Sequence, residues 1–383
     1  MRLLLVLSFL FVSFFHSFRS SAQSMTSAYA FADSLEREIE NRETTLINAR
    51  FNADKFLDKI IFKIPDNRKL TNFNTAFAIG FKKTFDFGNI LLTNFTEKET
   101  YYSFIESYVN QQSKKVHLIF RLFSLDGGLN YHDYELDFNN KMNYWEISDA
   151  YFYLHGENFS KTLRSLYMPA VSPILKKNQK SANEEKHIIL KIKEIKDLAE
   201  SGNYELAYKM CDSIPKASQN KKHFRLMVLN IAKNINTEKY IEEGRKILDL
   251  FPDDPSVNLV AIDYYFNSEE YEECQQVIDK LDEQVGGDDL LDFYRGNTHY
   301  KMKELGKATN YYKATLENYP YFQKAYDLLI EIYVTQKDLE NAINSIDKMV
   351  VENEYDKQEI ADIIRELYPK LSKSGKFKAW AKK

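Results

Sequence analysis

Seven ionisable side chains crowd one stretch of the amino-terminal half: Asp126, His132, Asp133, Glu135, Asp137, Asp149 and His155. Histidines and carboxylates together can hold a divalent metal or pass a proton. His132, Asp149 and His155, brought together across neighbouring strands, would form such a site. Strand alternation divides the group: His132 shares a face with Tyr134, whereas Asp133, Glu135 and Asp137 share the other. A plainer reading makes those three acids the solvent face of a half-buried strand and gives His132 an ordinary packing or hydrogen-bonding contact. The plainer reading is preferred, because no HExxH, Walker loop, dinucleotide glycine pattern, nucleophile elbow or paired CxxC accompanies the cluster. Gly127-Gly128 supplies the positive φ of a hairpin turn and is followed by a strand, so it is not a phosphate loop. No catalytic residue, metal or cofactor is assigned, and the chain reads as a non-enzyme.

The elements that must position these groups come from the hydrophobic period. Residues 26–64 and 69–93 predict helices, with Ala28, Phe31, Leu35 and Ile39 at helical spacing and Gly88-Asn89 as a helix end. A short helix is expected over Tyr101–Val109. The period then changes to two: Lys115–Ser124, Leu129–Phe138 and Trp145–Leu154 predict an antiparallel meander of three or more strands, and a helix follows from Phe159 to about Tyr167. This is an α+β domain over 23–168, closed by a linker at 169–187. Its order of elements faintly resembles the cone-shaped fold of nuclear transport factor 2 and cystatin-like domains. That resemblance implies no function.

From residue 188 to 356 the chain returns to one pattern every 34 residues. Cys274, Ala308 and Ala342 keep that step, as do Tyr271, Leu305 and Leu339, while Gly296, Tyr300, Tyr312 and Pro320 mark the clearest unit. Gly202-Asn203 turns between the helices of the first unit. The pattern resembles the tetratricopeptide repeat, in about five units. The resemblance implies an all-α, right-handed helical-repeat solenoid whose concavity takes up a protein or peptide partner. Tyr264, Tyr294, Tyr300, Tyr311 and Tyr333 are the candidates to line it, although most tyrosines at such positions are packing residues. Cys211 and Cys274 fall at small or apolar positions of second helices, which predicts buried free thiols. Lys357–Leu367 predicts a solvating last helix, and the six lysines from Lys370 to Lys383 a solvated basic tail in the segment 357–383.

Whole-chain properties narrow the class. The 383 residues carry a net charge of −4, too acidic for a dedicated nucleic-acid binder, and two cysteines are too few for a disulfide scaffold. Met1-Arg2, the apolar run Leu3–Phe15 and the exit Ser20-Ser21-Ala22 have the form of a signal peptide cut after Ala22. Its removal takes two arginines and no acid, leaving −6. No later stretch could insert stably in a membrane, although contact with an envelope surface is open. The expectation is an exported, periplasmic or secreted scaffold or adaptor. The alternative is a small-ligand-binding or hydrolytic amino-terminal domain with the repeats as a targeting module.

Overall fold

The computed structural model describes residues 25–93, 95, 100–124, 128–175, 179–252 and 254–382. The expected export segment, the Asp126-Gly127 turn and Lys383 lie outside them. Two compact units are present, one ending at Val260 and one running from Ala261. In chain order, a mixed α/β domain with an antiparallel sheet precedes a long all-α, repeat-like region. No helix among the described residues is long and apolar enough to cross a membrane.

The first domain begins with α1 (25–40), α2 (Thr45–Arg50), α3 (Ala53–Ile60), α4 (Arg68–Thr84) and α5 (Phe87–Leu92). A single helix over 26–64 is thus replaced by three, because Asn52 caps α3 and Ile61 is already extended. Likewise 69–93 breaks at Phe85-Asp86, where the Asp86 carboxylate accepts the Asn89 N–H and starts a new helix. Gly88-Asn89 therefore opens α5 rather than ending a helix. A Cβ at Gly88 would lie 2.4 Å from the Thr44 Cβ.

Five strands follow in a plain antiparallel meander: β1 (Thr100–Val109), β2 (Val116–Ser124), β3 (Gly128–Asn139), β4 (Tyr144–Phe152) and β5 (Glu157–Asn158). A 3-10 turn, Tyr153–His155, separates the last two. Tyr101–Val109 is a strand, not the helix its spacing suggested. A bulge between Phe104 and Glu106 interrupts the period of two and hides it, while Tyr102 stacks on Phe120 across the ladder at 5.1 Å. Ala28, Ala32, Leu35 and Ile39 of α1 are fully buried against one face of this sheet, with Leu118, Phe120, Tyr134 and Ile147. A second core joins Phe56 and Ile60 of α3 to Tyr167 and Val171 of α6 (Phe159–Val171).

The helical region comprises α7 (Gln179–Glu200) with α8 (Tyr204–Cys211), the short α9 (Lys216–Gln219), then α10 (Lys222–Lys233) with α11 (Thr237–Leu250). Next come α12 (Asn258–Asn267) with α13 (Tyr271–Val285), α14 (Leu291–Lys301) with α15 (Leu305–Asn318), and α16 (Gln323–Thr335) with α17 (Leu339–Glu352). Pro169 lies inside α6, and 172–178 separates α6 from α7. Second helices begin at Tyr204, Thr237, Tyr271, Leu305 and Leu339, steps of 33, 34, 34 and 34. Two residues before four of those starts the backbone is left-handed: Gly202 at φ 80°, Glu269 at 62°, Lys303 at 65° and Lys337 at 63°. Only the first is a glycine. Lys303→Gly is therefore expected to stabilise the fold by about 0.5–1 kcal/mol, net of the entropy glycine adds to the unfolded chain. A raised urea midpoint would show it.

Close helix approach explains Gly296. A Cβ there would stand 2.6 Å from the ring of the fully buried Tyr312. Gly296→Ala should cost about 1–3 kcal/mol in chemical denaturation, because neither α14 nor the tyrosine can yield without repacking. Cys211 and Cys274 are free and buried, and burial is the chief cause that pushes their thiols up to about 12 and about 11.

After α18 (Lys357–Leu367) the lysine-rich end is not a solvated tail. It folds as α19 (Pro369–Ser372) and α20 (Gly375–Trp380), with Phe377 and Trp380 buried. Two aromatic side chains among the lysines outweigh the charge, since each lysine stem can lie on the surface with its ammonium in water.

Candidate functional site

His132 is fully enclosed by the first core. Asn130 accepts the Tyr131 and Leu154 N–H groups on Oδ1 (2.9 and 3.0 Å), which turns its Nδ2 toward His132 Nε2 at 3.2 Å. Nε2 must then accept, so the ring proton sits on Nδ1 and points to the Tyr102 hydroxyl at 3.2 Å. Tyr102 in turn shares a 2.6 Å bond with Tyr134. Both ring nitrogens are engaged. Burial, with His155 adding to it, lowers the His132 pKa from 6.5 to about 3.

A stability consequence follows. The unfolded chain takes up this proton below about pH 6.5, whereas the folded chain refuses it until about pH 3. The contribution is full above 6.5 and is lost as the pH falls, at up to about 1.4 kcal/mol per pH unit. Between pH 6.5 and 4, His132→Gln should remove that slope from the pH dependence of the urea midpoint.

Asp149 faces the other side of the sheet, paired with Glu135, whereas His132 pairs with Phe152. It is 2% exposed and works as a clamp. Asn158 makes no side-chain cap for α6, and Asp149 takes that place by accepting Ser160 N–H (3.1 Å), Ser160 O–H (2.6 Å) and Lys59 Nζ (3.1 Å). His155 stands on the 3-10 turn, where its ring meets the edge of Phe152 at 5.7 Å. Phe152 also meets His132, at 4.7 Å. Asp149 is thus set on the opposite face from His132, whereas His132 and His155 share Phe152. Among the described residues no group of three or more His, Cys, Asp or Glu side chains is placed to hold a metal ion.

Asp133, Glu135 and Asp137 are not a free solvent face. Burial would raise the Glu135 carboxyl, but Lys115, Lys59 and Ser148 hold it down at about 2. Lys115 also binds Asp137 at 3.0 Å. Asp133 accepts His117 Nδ1 and the Tyr108 hydroxyl, both at 2.7 Å, and Tyr108 stacks on His117 at 4.8 Å. The carboxylate fixes the proton on His117 Nδ1 and leaves Nε2 without a partner among the described residues. Residue spacing along the chain missed this pair. The β2–β3 register, which pairs His117 with Glu135, places Asp133 diagonally opposite on the same face and is the signal that finds it.

In the unit from Ala261, the first helices of successive hairpins share side-chain contacts. Lys301 lies 5.9 Å above the Phe266 ring, and Tyr300 donates to Glu331 at 2.7 Å. That bond is the main reason the Tyr300 pKa is pushed up to about 12, with burial second. Asp327 lies one turn before Glu331 on α16, and burial followed by these two carboxylates raises Tyr368. No cation lies within ion-pair distance of Asp327 or Glu331 among the described residues. Of the five candidate tyrosines, Tyr264 and Tyr333 are buried, whereas Tyr294, Tyr300 and Tyr311 are partly accessible. Tyr311 stacks flat on His299 at 5.3 Å.

No protein-family model matches the chain, and no curated protein does. Several solved structures are similar to about half of it. PilW, a type IV pilus biogenesis factor, is 16% identical with a TM-score of 0.37, over 50% of this chain and 97% of its own. MamA 41-end from Desulfovibrio magneticus RS-1 is 12% identical with a TM-score of 0.37, over 47% of this chain and 97% of its own. Another MamA structure is 18% identical with a TM-score of 0.36, over 41% and 93%.

Proposed function

We propose that this is an exported interaction protein which holds a protein or peptide partner on the first-helix face of α14 and α16. The observation that carries the reading is the Tyr300–Glu331 bond between consecutive hairpins, beside Asp327, which has no ion pair among the described residues. Here aromatic rings and carboxylates from separate repeats stand side by side, as a surface for an extended segment requires. Tyr294 and Tyr300 are its accessible rings. Tyr264 of α12 and Tyr333 of α16 are buried, and Tyr311 of α15 stacks on His299 of α14.

The test compares the native chain with a Tyr300→Ala, Asp327→Lys, Glu331→Lys variant in recovery of partners from the exported fraction. Glu331 and Asp327 are on the surface, so the variant should fold as the native chain does. A partner held by the native chain and lost by the variant is the expected result. Equal recovery of every partner discards the reading.

A further inference from the structure

One corner of the amino-terminal domain presents apolar side chains to water in a fixed posture. The loop 61–67 between α3 and α4 leaves Phe62 at 37% and Ile64 at 38% exposure, and Leu166 of α6 is 58% exposed. The loop is held rather than loose. Tyr167 Oη accepts the Phe62 N–H (3.2 Å) and donates to Asn74 (2.6 Å), and Asn74 Nδ2 closes the ring by donating to the Phe62 carbonyl (3.0 Å). Both backbone groups of Phe62 are thereby fixed.

The helix that follows adds charge. α4 contains Arg68, Lys69, Lys82 and Lys83 and no acid, with the cations at its two ends. Phe73, Phe77 and Phe81 form an inward ladder with ring spacings of 6.4 Å, resting on Tyr167. Its outer face carries Thr75, Ala76 and Ile79, the last 64% exposed. Lys82 pairs with Asp54 and Lys63 with Asp58. Arg68, Lys69 and Lys83 have no ion pair among the described residues, and the exposed Asp66 is the one acid of the loop 61–67.

We propose that the loop 61–67 and the outer face of α4 dock on an anionic lipid bilayer. Isolated apolar side chains beside an excess of unpaired cations over the single acid Asp66 fit a headgroup layer, where Phe and Ile reach the acyl boundary and Lys and Arg meet phosphate. The cations without acids on α4 select an anionic surface by charge complementarity. The contact is peripheral, independent of the partner face on α14 and α16.

The test uses the chain lacking residues 1–22, so that the apolar run 3–15 cannot contribute. It is sedimented with vesicles of phosphatidylcholine alone or mixed with phosphatidylglycerol. Retention is expected on the mixed vesicles and should be lost at about 1 M salt, where the screening length is ~3 Å. An Arg68→Gln, Lys69→Gln, Lys83→Gln variant, altered only at exposed positions, should bind about 100-fold more weakly. Phe62→Ser with Ile64→Ser should bind about tenfold more weakly. Circular dichroism confirms that both remain folded. No retention on either vesicle, equal retention on both, or native-like retention of the charge variant overturns the proposal. The first of these is what a surface built for a protein would give.

Discussion

Asp149→Ala is expected to lower the stability of the amino-terminal domain by about 3 kcal/mol, although the residue is no part of the proposed partner face. The carboxylate is 2% exposed and accepts from both the backbone and the hydroxyl of Ser160 as well as from Lys59. Alanine leaves the first turn of α6 without its acceptor and Lys59, half-buried, with Glu135 alone. Asp149→Asn keeps the shape and should cost about 1–2 kcal/mol, because an amide oxygen can still serve Ser160 but no longer neutralises Lys59. The chain has two tryptophans, and Trp145 lies in this domain, bonded to Ser27 at 2.9 Å. In a Trp380→Phe background its fluorescence reports urea unfolding of this domain. A proton-transfer role would give the opposite pattern, with Asn as harmful as Ala to an activity and neither costing much stability.

Ending the chain at Lys373 should destabilise the carboxy-terminal unit by about 5 kcal/mol, and Trp380→Ala alone by about 3. α20 is held by several contacts. Phe377 is 1% exposed, Trp380 Nε1 donates to Asp347 at 2.7 Å, Lys357 lies 4.7 Å above the Trp380 ring, and Lys376 pairs with Glu340 at 2.6 Å. The packing of α20 on α17 covers an apolar flank that a stack of hairpins exposes where it ends. The urea midpoints of the shortened chain and of Trp380→Ala, followed by far-ultraviolet circular dichroism, measure the loss. A shortened chain as stable as the native one would mean that the last ten residues are a solvated tail after all.

The repeats were the most legible part of the sequence for a physical reason. Ala308 and Ala342 must be small because helices close on them, and that demand recurs at each hairpin, so a period of 34 survives where most other positions vary. The amino-terminal domain offers no such repetition. Its first strand is disguised by the bulge at Phe104–Glu106, and its helices break at Asn52 and Asp86, caps that local periodicity overlooks. The middle strands were readable because Leu118, Phe120, Tyr134 and Leu136 alternate without interruption.

Chemistry was harder to read than architecture. His132, Asp149 and His155 are close in sequence, yet the sheet turns Asp149 to the face opposite His132 and sets His155 on a turn beyond it. His117 and Asp133 are no farther apart in sequence, and they meet through strand register. The carboxy-terminal lysines suggested water, and only the two aromatics among them decided otherwise. In each case the deciding partner came from a different element.

On the proposed reading the first helices of the unit from Ala261 hold the partner. Site-specific photocrosslinking tests it most directly, with the reactive group placed in turn at Tyr300 on α14, at Lys348 on α17 and at Lys141 in the β3–β4 turn. Tyr300 alone should capture a partner, and free competing partner should suppress the product. Capture from Lys348 or Lys141 with none from Tyr300 would rule this face out and move the binding surface to the second helices or to the amino-terminal domain.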